Sequence, residues 1–485
     1  RLDVAGHDDA AQLFVNGVNV WEHSGCCDSH TGVWTGVLDA NTEVEFRATE
    51  GTGGSHGALN FIDLCPSGNI LYVKANATGA NNGSSWTDAF TSLQNALTLA
   101  NQCPDVDEIW VAAGTYKPDQ GVGYTPGDRN HSFVMKNDLA ILGGFPNTGN
   151  PGLGDRNWAT NVTTLSGYIG GSGSGDNSYH VIFNNNGLNS SAVLDGFTVT
   201  GGNADGGGNN NYGGGMFNYG SSPSVTNCTF SLNSSAGVGG GMYNTNGSGP
   251  SLTNCIFSGN SAINGGGIYH LYGGNFNMTN CAFYGNLAGY AGGGMYISNS
   301  NPSLINCTLS GNIAPNGGGI GFHESHILIK NCILWGNGNE LYTPLLGTAT
   351  VTHSIVQGGY PGTGNLDLDP LFVNPPSGGQ GGNLRLQAAS CAINAGSNAA
   401  VPSGVTTDLD GNPRFYNAGT VDMGAYEFQG EPQPLATPSL TTNNALHFDG
   451  TNDFVNVLAV DENCTGAPLG GGDAITIEYW FKGSN

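Results

Sequence analysis

"NCIFSGNSAINGGGIYH", residues 254–270, comes back along the chain with small changes. It reappears as "NCTFSLNSSAGVGGGMYN" at 227–244, "NCAFYGNLAGYAGGGMYI" at 280–297 and "NCTLSGNIAPNGGGIGF" at 306–322. The Gly triplets begin at Gly213, Gly239, Gly265, Gly292 and Gly317, steps of 26, 26, 27 and 25. The Asn-Cys pairs that contain Cys228, Cys255, Cys281, Cys307 and Cys332 step by 27, 26, 26 and 25. A near-constant period of this size marks a solenoid, each repeat one supersecondary unit stacked on the last.

The local pattern selects the kind of solenoid. Helical repeats need long amphipathic stretches without glycine, and this repeat has none. It offers short runs such as "SLTNCIF" and "GIYH" between Gly and Asn turns, which read as strands. Strands in coils of this length give a right-handed parallel β-helix, with coils spaced about 4.8 Å apart. Like residues then lie above like. Val225, Leu252, Met278 and Leu304 form one apolar column; Phe230, Phe257, Phe283, Leu309 and Leu334 form another. Asn233, Asn260, Asn286, Asn312 and Asn337 are expected to form an amide ladder at a turn, where side chains satisfy each other and orphaned backbone groups.

The composition agrees. Of 485 residues 82 are Gly, and charged residues are 10% against about 25% in an ordinary globular protein. With 36 acidic and 11 basic residues the net charge is −25, which disfavours nucleic acid and anionic membrane surfaces. No uninterrupted apolar run approaches the roughly 20 residues that span a bilayer. The 11 cysteines are an odd number, so they do not all pair within one chain.

Around the repeats, residues 67–428 read as one β-helix. "WTDAFTSLQNALTLANQ" (86–102) places Phe90, Leu93, Leu97 and Ala100 at helical spacing. A helix there would cap the open edge of the first coil. Coils are expected through "VTHSIVQGG" (351–359) and on to about Phe428. Residues 429–440 are a Pro-rich linker. Residues 1–66 carry alternating strands of a partial β-sandwich module, and 441–485 begin another. The chain is therefore expected to be a processed piece of a longer modular protein, its signal peptide already removed before Arg1. Pairing of unfinished sheet edges between copies is one expected route to fibres.

On "GGGIY" and "N-x-x-F-S-G-N", residues 70–428 resemble bacterial surface-protein β-helices akin to the polymorphic outer-membrane-protein repeat. "LYVKANATGANNGSSWTDAFTSLQNAL" and the closing "DLDPLFVNP", "NLRLQAASCAINAGS" and "TDLDGNPRFYNAGTVDMGAYEF" look like members of that group with varied cell-surface anchors. Residues 445–485 resemble the first strands of a laminin-G or concanavalin-like module. Residues 1–64 look like the tail of a sandwich from large secreted proteins of gliding Bacteroidota-type bacteria. The resemblance implies an extracellular, adhesive or structural bacterial protein and carries over no catalytic residue.

Many parallel β-helices nevertheless cleave acidic polysaccharides, using paired carboxylates or a Lys, Arg or His base. From Gly206 to His323 there is no Asp, Glu, Lys or Arg, and His270 and His323 are the only imidazoles. Chemistry would have to use the early coils, where Asp105, Asp107, Glu108, Lys117, Asp119, Asp128, Arg129, Lys136, Asp138, Asp155 and Arg156 gather without a diagnostic spacing. Solvated loop charges are the plainer reading. Phe217, Tyr243, Tyr269 and Tyr296 follow each Gly triplet at an outward position. They either stack on sugar rings or stiffen the solenoid by stacking on each other. The Cys column reads as buried free thiols rather than a metal set. In "DLDGN", Asp408, Asp410 and Asn412 alternate as calcium ligands do, or make a plain Asx turn. The resulting expectation is a non-enzymatic adhesin or extracellular fibre component whose partners are polysaccharide, cell-surface glycans or further copies. It needs no cofactor beyond a structural calcium. A polysaccharide lyase or hydrolase acting at 105–160 is the competing reading.

Overall fold

A computed structural model of the chain describes residues 2–7, 11–16, 18–24, 28–34, 44–48, 57–61, 65–66, 68–171, 173–274, 276–376 and 381–431. The expected module at 441–485 and nearly all of the linker lie outside them. The chain divides into two compact units, Arg1–Val111 and Ala112–Asn485.

In the first unit, Leu2–His7 pairs antiparallel with Asp28–Trp34 and Gly57–Phe61, and Ala11–Val15 with Val18–His23 and Val44–Ala48. Buried Leu2, Leu13 and Val15 share one apolar cluster with Trp21, Trp34 and Phe46, which holds two three-stranded sheets together. Further along, Ile70–Val73 pairs in parallel with Glu108–Ala112. The helix spans Leu93–Gln102 and buries Leu93, Ala96, Leu97 and Ala100. It starts later than the periodicity of 86–102 predicts. Phe90 donates its N–H to Tyr72 O and accepts from Lys74 N, so this stretch is held extended beside Ile70–Val73 and cannot wind. A Cys65–Cys103 disulfide ties the segment before Ile70–Val73 to the end of the helix. Closing a loop of this length contributes on the order of 3–4 kcal/mol.

The second unit is the solenoid, and the all-β parallel β-helix is as expected. Ser251–Thr253, Ile256–Ser258, Ser261–Asn264 and Ile268–Leu271 are the four strands of one coil. Each lies in a different sheet: the second sheet has nine strands, the third four and the fourth seven. Registers fall where the repeat placed them: Phe230, Phe257, Phe283, Leu309 and Leu334 are successive partners. The three Phe rings stack with centroids 4.8 Å apart, which is the strand spacing itself.

The Gly triplet is required three times over. Gly265 has φ +62°, left-handed backbone that a Cβ disfavours. A Cβ on Gly266 would lie 2.5 Å from Leu287 O in the next coil, and one on Gly267 would lie 2.4 Å from Gly294 O.

The coils do not continue to Phe428. The last second-sheet strand is Ile355–Val356, followed by a single bridge to Leu366. Phe372–Asn374 and Asn383–Leu386 then pair antiparallel. From there the chain runs as a strap along the outer face of the second sheet. The sheet's outward residues explain why. Ala282, Ile333 and Ile355 are buried with Phe372, Leu384, Leu386, Ala392, Met423, Ala425 and Tyr426 of the strap, and Tyr284 and Trp335 pack against this second core. An apolar outer face needs a cover rather than another coil.

Candidate functional site

Three amide columns order the coil corners. In the expected one, each Asn Nδ2 donates to the next coil's Asn Oδ1, from Asn233 through Asn260, Asn286 and Asn312 to Asn337. The same Nδ2 atoms also donate to main-chain oxygens of the coil before, such as Phe257 O at 2.8 Å from Asn286. The column ends on Glu340, which is 6% exposed and receives Asn337. The residues before each Cys form a second column of opposite direction. Asn331 donates to Asn306, Asn306 to Asn280, Asn280 to Asn254 and Asn254 to Asn227, which donates to Asp195 Oδ1 at 2.9 Å. These Asn residues sit at φ near +52°, a conformation Asn tolerates. The sequence marks this second column only by the recurrent Asn-Cys pair. The third lies inside the coils, where Asn184 donates to Asn218 and Asn218 to Asn244.

The aromatic column stacks on itself. Successive centroids from Phe217 to Tyr243, Tyr269 and Tyr296 are 5.0, 5.7 and 5.3 Å apart. Phe217 and Tyr243 are buried, against His180, Phe183 and Tyr212. These two rings offer no open face for a sugar; neighbouring rings already occupy their outward position. Tyr269 and Tyr296 are half-buried, and burial pushes the Tyr269 hydroxyl up to about 12.

The charges of the early coils belong to both units. Asp105, Asp107 and Glu108 fall in the first unit, the others in the second. Arg129 pairs with Asp205, donates to Asn177 O and Asn203 O, and lies over the Tyr179 ring. Arg156 is committed to Asp195 and Gly143 O. Asp128 caps its own turn by accepting from Asn130 N, which holds its carboxyl below the usual range.

In "DLDGN" the three side chains do not surround a common point. Asp408 Oδ1 accepts from the backbone N–H of Asp410 and Asn412, and its Oδ2 from Glu427 N. Asp410 accepts from Nε and Nη2 of Arg385. Among the described residues no group of three or more His, Cys, Asp or Glu is placed to hold a metal ion. The loop is an Asx turn beside an ion pair, so the structural calcium stays a proposal without a pocket of its own. Cys228, Cys255, Cys281, Cys307 and Cys332 are buried free thiols, and burial pushes the Cys228, Cys281 and Cys332 thiols up.

One open cleft of about 250 Å³ lies in the second unit where the strap stops covering the sheet. Its floor is Thr198, Thr229 and Ile256, successive partners in the second sheet. Asn227 and Asn254 of the second amide column stand beside them. Trp158 and Ala159 line one wall; Arg385, Leu409, Asp410 and Tyr426 line the other. Trp158 is 38% exposed. Arg385 is fixed between Asp410 and the Tyr426 ring, 4.9 Å below it.

These features define the class: an all-β chain built on a parallel β-helix with a strapped face. Among solved structures it is similar to the pectate lyase Pel9A, at 16% identity over 75% of this chain and 98% of that one, with a TM-score of 0.34. It is also similar to YbhC of Escherichia coli, at 12% identity over 58% of this chain and 76% of that one, with a TM-score of 0.27. No protein-family model and no curated protein matches the chain.

Proposed function

We propose that the protein is a bacterial extracellular or cell-surface β-helix that acts without catalysis, as an adhesin or a fibre or stalk component that holds glycans. The observation that carries this reading is the charge-free run of regular coils. Residues 206–323 hold no Asp, Glu, Lys or Arg, and His270 is fully buried with Nε2 on Gly274 O. These coils therefore offer no carboxylate or cationic side chain, and the half-buried His323 is their one imidazole outside the core. Arg129 and Arg156 on the early coils are tied to carboxylates and carbonyls and do not stand ready to neutralise a uronate. The Cys65–Cys103 disulfide supports an oxidising compartment. A stiff scaffold with many weak polar contacts suits attachment strengthened by avidity. The test is co-sedimentation of the full chain with insoluble polysaccharides, in parallel with bacterial cell-wall fragments. Saturable retention on at least one of them is expected; a chain that stays in the supernatant with all of them contradicts the adhesive reading.

A further inference from the structure

The strap shows what the outer edge of the second sheet accepts. Asn280 Nδ2 donates to Thr407 O at 2.7 Å, and Asn331 Nδ2 donates to Ser397 O at 3.0 Å. In the neighbouring column Thr308 Oγ1 accepts from Ala425 N at 2.9 Å. At these three positions the strap's backbone engages the second N–H of Asn280 and Asn331 and the hydroxyl of Thr308.

The same two columns run on past the end of the strap. Thr229 and Thr198 continue the register of Thr308 through Ala282 and Ile256. Asn254 and Asn227 continue that of Asn280. Each of these two amides spends one N–H on its neighbour in the column, and an amide carries two. The remaining donors and the two hydroxyls stand at the open cleft. Asp410 offers carboxylate oxygens at one wall, and at the other stands Trp158, 38% exposed, with the Arg156 guanidinium 5.7 Å over its ring.

From this we infer that the cleft is a binding subsite for a neutral saccharide, one ring of which fills the place of the strap. The inference rests on the glycan-holding reading above. A pyranose has hydroxyl oxygens for the Asn N–H groups, hydroxyl protons for Asp410 and an apolar face for Trp158. Arg385 is already neutralised by Asp410, and the chain carries −25, so a uronate gains nothing there. At about 250 Å³ the cleft is smaller than the roughly 300–1,000 Å³ of drug-sized sites. That size suits about one ring rather than a length of peptide.

The test titrates the full chain with cellohexaose, mannohexaose, xylohexaose and, as the acidic counterpart, hexagalacturonate, following tryptophan fluorescence and saturation-transfer NMR. Trp158→Ala removes the exposed ring, and Thr229→Val removes a floor hydroxyl. Thermal unfolding checks that both variants stay folded. At least one neutral hexasaccharide should bind, with affinity reduced about tenfold in Trp158→Ala and also weakened in Thr229→Val. Neutral binding that both variants leave unchanged would overturn the cleft while leaving the glycan-holding reading intact. Tighter binding of hexagalacturonate than of every neutral sugar would overturn the neutral class, and so would displacement by an unrelated extended peptide. No binding of any sugar, together with no retention on insoluble polysaccharide, would sink both.

Discussion

Glu340 takes both N–H groups of Asn337, the backbone one at 3.0 Å on Oε1 and the side-chain one on Oε2. A column of amides has a direction, and its last donor needs an acceptor with no hydrogen of its own to place. A carboxylate meets that need. The opposite column ends on Asp195 in the same way.

Removing this terminus strands two buried donors. Glu340→Ala should lower stability by about 1–3 kcal/mol, measured by denaturant unfolding. Glu340→Gln should cost much less, because within the column one amide oxygen already receives both N–H groups of its neighbour, as Asn260 Oδ1 does from Asn233. Equal losses in the two variants would show that the column needs the carboxylate itself and that an amide oxygen does not replace it.

The interior column stops at His270. Asn244 and His270 are register partners, and Asn244 Nδ2 and His270 Nδ1 are both buried without a hydrogen bond. Burial lowers His270 from 6.5 to about 4. The neutral ring therefore stabilises the fold fully above pH 6.5, and that stability is lost as the pH falls towards 4. The loss attributable to this group is up to about 3 kcal/mol. His270→Asn would extend the amide column and should flatten this acid limb when stability is compared with wild type from pH 7 to 4. An unchanged acid limb would contradict the assignment.

The strap has the opposite pH sense. Burial, with Asp422 beside it, pushes Glu427 from 4.5 up to about 8 against the pull of Arg414, whose Nε is 3.5 Å away. A carboxyl with a raised folded value contributes stability below its unfolded value, and that contribution fades as the pH rises from about 4.5 through 8. Amide exchange within 381–428, corrected for its intrinsic pH dependence, should therefore rise several-fold from pH 5 to 8.5. Glu427→Gln should suppress the rise.

The thiols make a simpler expectation. Alkylation of the folded protein should leave Cys228, Cys255, Cys281, Cys307 and Cys332 unmodified, and denaturation should expose all five, read by peptide mass mapping. Labelling of any of them in the native state would mean that the coils open.

The sequence made the solenoid legible because stacking places identical demands on every coil. Phe257 must sit above Phe230, and Gly266 must clear a carbonyl, so the period is printed in the residues. The strap was not legible, since nothing repeats in it. Its signal lay in the outward positions Ile256, Ala282 and Ile333, where a solvated face should be polar, and short apolar runs do not say which side they bury. The helix start at Leu93 rather than Trp86 likewise depends on a strand pairing of Phe90 that local periodicity cannot show. The candidate cleft joins positions 158, 229 and 410, so no local motif could announce it.

On the function proposed above, this β-helix holds glycan without cleaving it. The most direct measurement incubates the full chain with neutral and acidic polysaccharides, with and without calcium, and follows new reducing ends and unsaturated uronides over time. No steady release is expected from any substrate, including those that retain the protein. Steady release that disappears on replacing Asp128 or Lys136 would contradict it and move the function to the early coils.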